Sequence, residues 1–151
     1  NCICNQNQIN KYQKRVSGPI LDRIDLHIAI MPDDTTEFSD NQKNSEFLES
    51  SKAIKQRVIL AREKQAKRFE NEIIHSNSQM KNNHIKKYCK LAKDVEVILR
   101  QASLKFQLSA RSYMKMIKVA RTIADLEEAE EIAISHMAEA LQYRPKTYES
   151  A

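Results

Sequence analysis

Apolar and polar positions alternate with a helical period through most of the chain. The clearest stretch runs from Ser109 to Glu127, where Tyr113, Met116, Ile117, Ala120, Ile123 and Ala124 recur at three- and four-residue steps. Ser112, Lys115, Lys118, Arg121, Thr122 and Asp125 fill the other side, and Ser109 is placed to cap the first turn. The same period predicts a helix over Ser50–Phe69, with Ile54, Val58, Ala61 and Phe69 buried. It predicts another over Asn82–Leu91 (Ile85, Tyr88 and Cys89 inward), and a third capped by Asp94 and running to Phe106 (Val95, Ile98, Leu99, Ala102 and Phe106 inward). A last helix is capped by Ser135, turns Met137, Ala138 and Leu141 inward and is closed by Pro145.

The first part of the chain reads differently. A short helix ends near Val16, with Ile9, Tyr12 and Val16 on one face. Ser17-Gly18-Pro19 then makes a turn, and Ile20–Arg23 forms one tight helical turn. Ile24, Leu26, Ile28 and Ile30 alternate with Asp25, His27 and Ala29, the period of a strand. One strand has no partners for its backbone donors and acceptors. We therefore expect residues 1–45 to be poorly ordered, or to pair with another chain along Ile24–Ile30. Asp33–Glu46 is acidic, polar and without periodicity, hence a linker.

Composition narrows the function classes. With one glycine, Gly18, in 151 residues, neither a glycine-rich phosphate loop nor a dinucleotide fingerprint can be built. A net charge of +5 with interspersed signs tolerates a polyanionic partner without demanding one. No apolar run is long enough to cross a bilayer. Three cysteines without framework spacing point to a reducing, cytoplasmic setting.

Four features carry candidate chemistry. Arg111 puts a permanent cation at the positive end of a helix dipole, which suits either a solvated side chain or one awaiting an anion. The face of the Ser50 helix bearing Lys52, Lys55, Arg57, Arg62, Lys64, Lys67 and Arg68 is either solvated or a strip for phosphates. Cys2 and Cys4 are either free thiols or half of a tetrahedral zinc site. Cys89, with His84 near it in sequence, reads as a buried structural cysteine rather than a nucleophile, since no orienting group or oxyanion site accompanies it.

Several stretches resemble one known family. SGPILDRIDLHI is similar to the segment after sensor 1 in magnesium-chelatase-like AAA+ ATPases, more narrowly in their competence-type ComM/YifB branch. HSNSQMKNNHIKKYCKL, LSARSYMKMIKVARTIADLE and ISHMAEALQYR resemble, in order, that family's C-terminal helical lid. The resemblance covers nearly the whole chain. It implies that the phosphate-binding loop, Walker B acid and sensor 1 lie upstream in a longer protein. Arg23, in ILDR, matches the arginine finger, which reaches ATP held by a neighbouring subunit; read from the residues alone, Arg23 pairs with Asp22 or Asp25. Arg111 matches the sensor 2 arginine, and Arg121 on the same helix orients the lid rather than touching ligand. Cys2 and Cys4 match the second pair of a two-pair cysteine motif, although Asn5-Gln6-Asn7 departs from the family's proline-containing run.

The expectation is thus a mainly α chain. Residues 1–32 are a helix-turn-strand remnant of an α/β AAA+ core, 33–48 a linker and 49–151 the helical lid. It supplies Arg23 and Arg111 to a composite ATP site, with ATP and Mg2+ belonging to the full-length protein. Zinc would bind only with upstream cysteines, and the isolated segment is expected to hold no cofactor and not to hydrolyse ATP. The resemblance implies a ring, commonly a hexamer, acting on DNA as a helicase or branch-migration motor. The alternative is a non-enzymatic basic helical module that binds DNA or protein.

Overall fold

The helix that begins after Ser109 is the axis of the structure. A computed structural model describes residues 3–13, 15–30 and 49–144. Among them the elements are α1 (Gln6–Gln13), α2 (Gly18–Leu21), α3 (Ser51–Arg68), α4 (Asn82–Tyr88), α5 (Lys93–Lys105), α6 (Ala110–Leu126) and α7 (Ile134–Gln142), with one 3-10 turn at Asn77–Gln79 before α4. Helix α6 packs against α7, α3, α4 and the 3-10 turn, and α5 packs against α7. Ser109 caps α6 as its sequence predicts, its hydroxyl accepting from Ser112 N at 3.1 Å. Met116, Ile117, Ala120, Ile123 and Ala124 are buried and Tyr113 partly so. Each fully buried Met or Ile contributes about 1.5–3 kcal/mol.

The core continues through Phe69, Met80, Ile85, Cys89, Val95, Leu99, Ala102, Ile132, Met137, Ala140 and Leu141. Phe69 and Tyr88 meet edge to face with centroids 5.4 Å apart. Leu91 and Ile132 form an isolated parallel bridge, and a helix starts just beyond each. That pairing sets both starts early. The N-caps are Ala92 and Ala133, not Asp94 and Ser135, and Asp94 instead accepts from Val95 N at 2.9 Å. No described helix is long and apolar enough to cross a membrane.

Four expectations are corrected. Ile24–Ile30 is no strand, because no described backbone pairs with it in a repeating ladder. Its groups are met singly, as where His27 N donates to Tyr143 O at 2.9 Å. Ile54 and Val58 are each 43% exposed, since the first half of α3 projects past its contact with α6 and burial begins at Ala61. In α7, Ala138 faces outward and Ala140 is buried, because Met137, Ala140 and Leu141 share one face at three- and four-residue steps and Ala138 lies about 100° round the helix from Met137. Helix α1 stops at Gln13, short of Val16; Tyr12 and Val16 are exposed, and of the expected face only Ile9 is partly covered. The proposed linker and residues 31–45 of the segment expected to be poorly ordered lie outside the described residues.

The polar side of α6 is the larger surprise. Ser112, Lys115, Arg121 and Asp125 are all buried. Asp125 accepts from Arg68 of α3, from Asn77 Nδ2 at 2.8 Å and from Arg121 Nε at 3.0 Å. Arg121 also donates to the carbonyls of Ala129 and Glu130 at 2.7 and 2.8 Å. Burial acts to raise the Asp125 carboxyl, but the Arg68 and Asn77 hydrogen bonds and the Arg121 charge outweigh it and hold the group below its ordinary value.

Candidate functional site

At the N-terminal end of α6 an open cavity of about 590 Å³ is lined by Arg23, Arg111, Lys115 and Lys118, with Met80, Ile85 and Met114 among its apolar residues. Arg111 stands on the first turn of α6, and Lys115 follows one turn later on the same face. Arg23 arrives from far upstream, carried by the tight turn after α2, whose first turn holds Pro19 at its second position. The structure therefore brings the two sequence-predicted arginines to one cavity.

Neither of these arginines forms an ion pair among the described residues. The pairing of Arg23 with Asp22 or Asp25 expected from sequence is not formed. Arg23 is exposed, and its Nη1 donates to Pro19 O at 2.9 Å within its own turn. Asp22 turns the other way, onto the cap of α6, where it accepts from Ser112 Oγ at 2.7 Å and Ser109 Oγ at 3.3 Å. The Ser112 hydroxyl, chiefly, holds the Asp22 carboxyl below its ordinary value, with Ser109 and the Lys115 and Arg111 charges adding to it against partial desolvation.

Lys115 is the residue that sequence reasoning missed, since the pattern puts it on the polar side of α6 with no mark of a role. It is 5% exposed. Its Nζ donates to Asp22 O at 2.8 Å and to Ile24 O at 2.7 Å, the carbonyls on either side of Arg23. No signal in the sequence separates it from Lys118, whose Nζ donates to Ser78 O at 3.0 Å from a partly exposed position.

The donor set suits an anion. Asp25, the one carboxylate of the lining, lies 3.8 Å from the Lys115 ammonium and is balanced by it, which leaves no free acid for a divalent cation. The guanidiniums of Arg23 and Arg111 fit phosphate oxygens, which they can engage with paired N–H groups. Of the cysteine pair, Cys4 is exposed and free, and Cys2 lies outside the described residues. No group of three metal-ligating side chains occurs among the described residues. Cys89 is buried with its Sγ 3.9 Å from Met80 Sδ, and the His84 ring is engaged elsewhere, Nδ1 accepting from Lys81 N at 3.1 Å.

The basic face of α3 is partly occupied from within. Arg57 forms a two-pronged pair with Glu49 at 2.8 and 3.0 Å, Lys64 donates to Glu128 O, and Arg68 is held by Asp125. Three of the seven cations on that face are therefore already partnered.

Comparison with known proteins gives a consistent picture. The C-terminal model of magnesium chelatase subunit ChlI matches residues 48–144, and the ChlI model itself matches residues 1–38. The chain is 37% identical over 141 residues to YifB of Salmonella typhimurium and, to the same extent, to YifB of Escherichia coli. It is 36% identical over 139 residues to the competence protein ComM of Haemophilus influenzae. These alignments cover 93%, 93% and 91% of the chain but 26% of each relative, so the chain spans about a quarter of their length.

Proposed function

Because this chain belongs to the magnesium chelatase ChlI family, in the branch of YifB and ComM, we propose that it presents Arg23 and Arg111 together to the phosphates of ATP held by another part of an AAA+ assembly. The observation that carries this reading is that the two guanidiniums line one cation-rich cavity and neither is neutralised by a carboxylate. A triphosphate brings the negative charge that the cavity lacks. In phosphoryl transfer, charge accumulates on the transferred group and its leaving oxygen, and a guanidinium placed there raises the rate by about 10³–10⁵. The phosphates themselves must be gripped elsewhere, since the sequence holds one glycine and no phosphate loop.

The shared cavity has a consequence for subunit arrangement. If Arg23 reaches a nucleotide bound by a neighbouring subunit, Arg111 reaches the same one, and both act in trans. In this reading residues 1–32 end the ATPase core, 33–48 connect and 49–151 form the lid. The whole protein would be a cytoplasmic ring, commonly a hexamer, that moves on DNA; ComM's name as a competence protein supports the DNA link. The occupied cations of α3 weigh against the alternative, in which the chain is simply a basic DNA-binding module.

The test is ATP turnover by a polypeptide in which this segment follows its nucleotide-binding core. Arg23→Ala is expected to leave ATP binding largely intact and lower kcat by about 10³ or more. Arg111→Ala is expected to lower turnover as well. Normal turnover in the Arg23 variant would remove the assignment.

A further inference from the structure

We propose that Lys115, with Asp22, is a positioning residue that ties the backbone around Arg23 to the helix carrying Arg111, so that the two guanidiniums move as one body with α6. The proposal deepens the reading above and rests on it for its catalytic part. Its structural part stands alone.

An ammonium that is 5% exposed is costly to bury unless its three donors are satisfied. A methionine would fill the same space without that cost, so packing alone does not explain the charge. What the charge gains is two backbone carbonyls, Asp22 O at 2.8 Å and Ile24 O at 2.7 Å. The side chain of Lys115 thus grips the chain on both flanks of Arg23. A second attachment lies beside it. The Asp22 carboxylate meets the Ser112 and Ser109 hydroxyls at the N-terminal end of α6, where the helix dipole favours a negative charge. Between these attachments the Arg23 side chain is exposed, with one hydrogen bond, to Pro19 O in its own turn. The backbone is fixed and the guanidinium can swing, as a group must that reaches a phosphate only when one arrives. Lys115 and Arg111 are one helical turn apart on α6, so any rotation of that helix displaces both cations together.

Hydrogen–deuterium exchange on this chain tests the tie directly. In Lys115→Met, the amides of Arg23 and Ile24, which donate to Ile20 O and Leu21 O, should exchange about tenfold faster, with those of Val95–Ala102 unchanged. Asp22→Ala, at a less buried position, should act in the same direction. Unaltered exchange at Arg23 and Ile24 in both variants overturns the proposal.

ATP turnover in the longer polypeptide tests the role. Lys115→Met should lower kcat with KM for ATP unchanged, and Lys115→Arg should restore part of the loss. On an Arg23→Ala background Lys115→Met should cause no further loss, because it acts through Arg23. An equal fall on both backgrounds, or a raised KM, would mean that Lys115 touches phosphate itself and would overturn the positioning role. Should Arg23→Ala itself turn over normally, the catalytic reading fails, and the exchange experiment still decides the tie.

Discussion

The Arg68 guanidinium of α3 and the Asp125 carboxylate of α6 join the two helices through paired hydrogen bonds, one of them 2.7 Å long, at a point where Asp125 has no exposure to solvent. Asn77 and Arg121 complete the shell around the carboxylate. Removing that carboxylate leaves two guanidiniums facing each other's charge in a region shielded from water. Asp125→Ala is therefore expected to lower unfolding free energy by about 3–5 kcal/mol, measured by urea denaturation. A loss below about 1 kcal/mol would show that the network contributes little beyond packing.

The same carboxylate gives stability a direction with pH. Asp125 titrates below its ordinary value of 3.8 in the folded state, so near that pH the unfolded chain binds more protons than the folded one. The stability it contributes is complete well above pH 3.8 and drains as the pH falls through 3.8 toward the folded value. Asp22 and Glu72 are shifted the same way, so the acid limb is shared. Urea midpoints taken from pH 6 down to pH 2, about the range in which carboxylates titrate, should fall less steeply in Asp125→Asn than in the parent. Parallel curves would assign the acid sensitivity to other groups.

This network also marks the limit of what the sequence discloses. The apolar stripe of α6 and its Ser109 cap are local features and are legible, as are the core of α4 and that of α5 except at Phe106, which is 36% exposed rather than inward and carries the Arg144 guanidinium over its ring. Arg121 and Asp125 fall on the polar side of the α6 pattern, a side that is usually solvated. They are buried only because Arg68 and Asn77 come from distant parts of the chain to satisfy them. Ile54 and Val58 fail in the opposite sense. Their spacing suits a buried face, but that end of α3 has no packing partner among the described residues. At the cavity, the resemblance assigns Arg23 and Arg111 to one composite site, and the folded chain puts both in the lining of one cavity. Lys115 carries no local mark of burial at all.

The two described cysteines should differ sharply in reactivity. Cys4 is exposed, whereas burial pushes the Cys89 thiol up to about 11, against the opposing pull of the Arg121 and Arg68 charges. Only about one Cys89 thiol in a thousand is then ionised near pH 8. Iodoacetamide should alkylate Cys4 in the native protein and reach Cys89 only after denaturant is added, with the modified sites located by mass spectrometry. Labelling of both at equal rates under native conditions would contradict the burial of Cys89 at the C-terminal end of α4.

A last prediction comes from the scarcity of glycine. Helices commonly end with a glycine in the left-handed region, but Gly18, the only one here, has no positive φ. Among the described residues the two that do adopt it are Gln107 (φ 49°) and Glu128 (φ 58°), each just past the end of a helix. Each stop closes as a glycine-type cap would, with Leu108 N bonding Ser103 O at 3.1 Å and Ala129 N bonding Ala124 O at 2.8 Å. An L-residue in that conformation costs roughly 1–2 kcal/mol, part of which glycine would give back through its freer unfolded chain. Gln107 is exposed and its side chain makes no hydrogen bond among the described residues, so little is lost on replacing it. Gln107→Gly should therefore raise stability by about 0.5–1 kcal/mol, seen as a higher melting temperature. Glu128→Gly should act in the same direction, because Lys64 donates to the carbonyl of Glu128 itself and Arg121 to those of Ala129 and Glu130, which hold that turn whatever residue occupies it. A Gln107→Gly variant that melts lower than the parent would mean that the turn after α5 carries no strain to release.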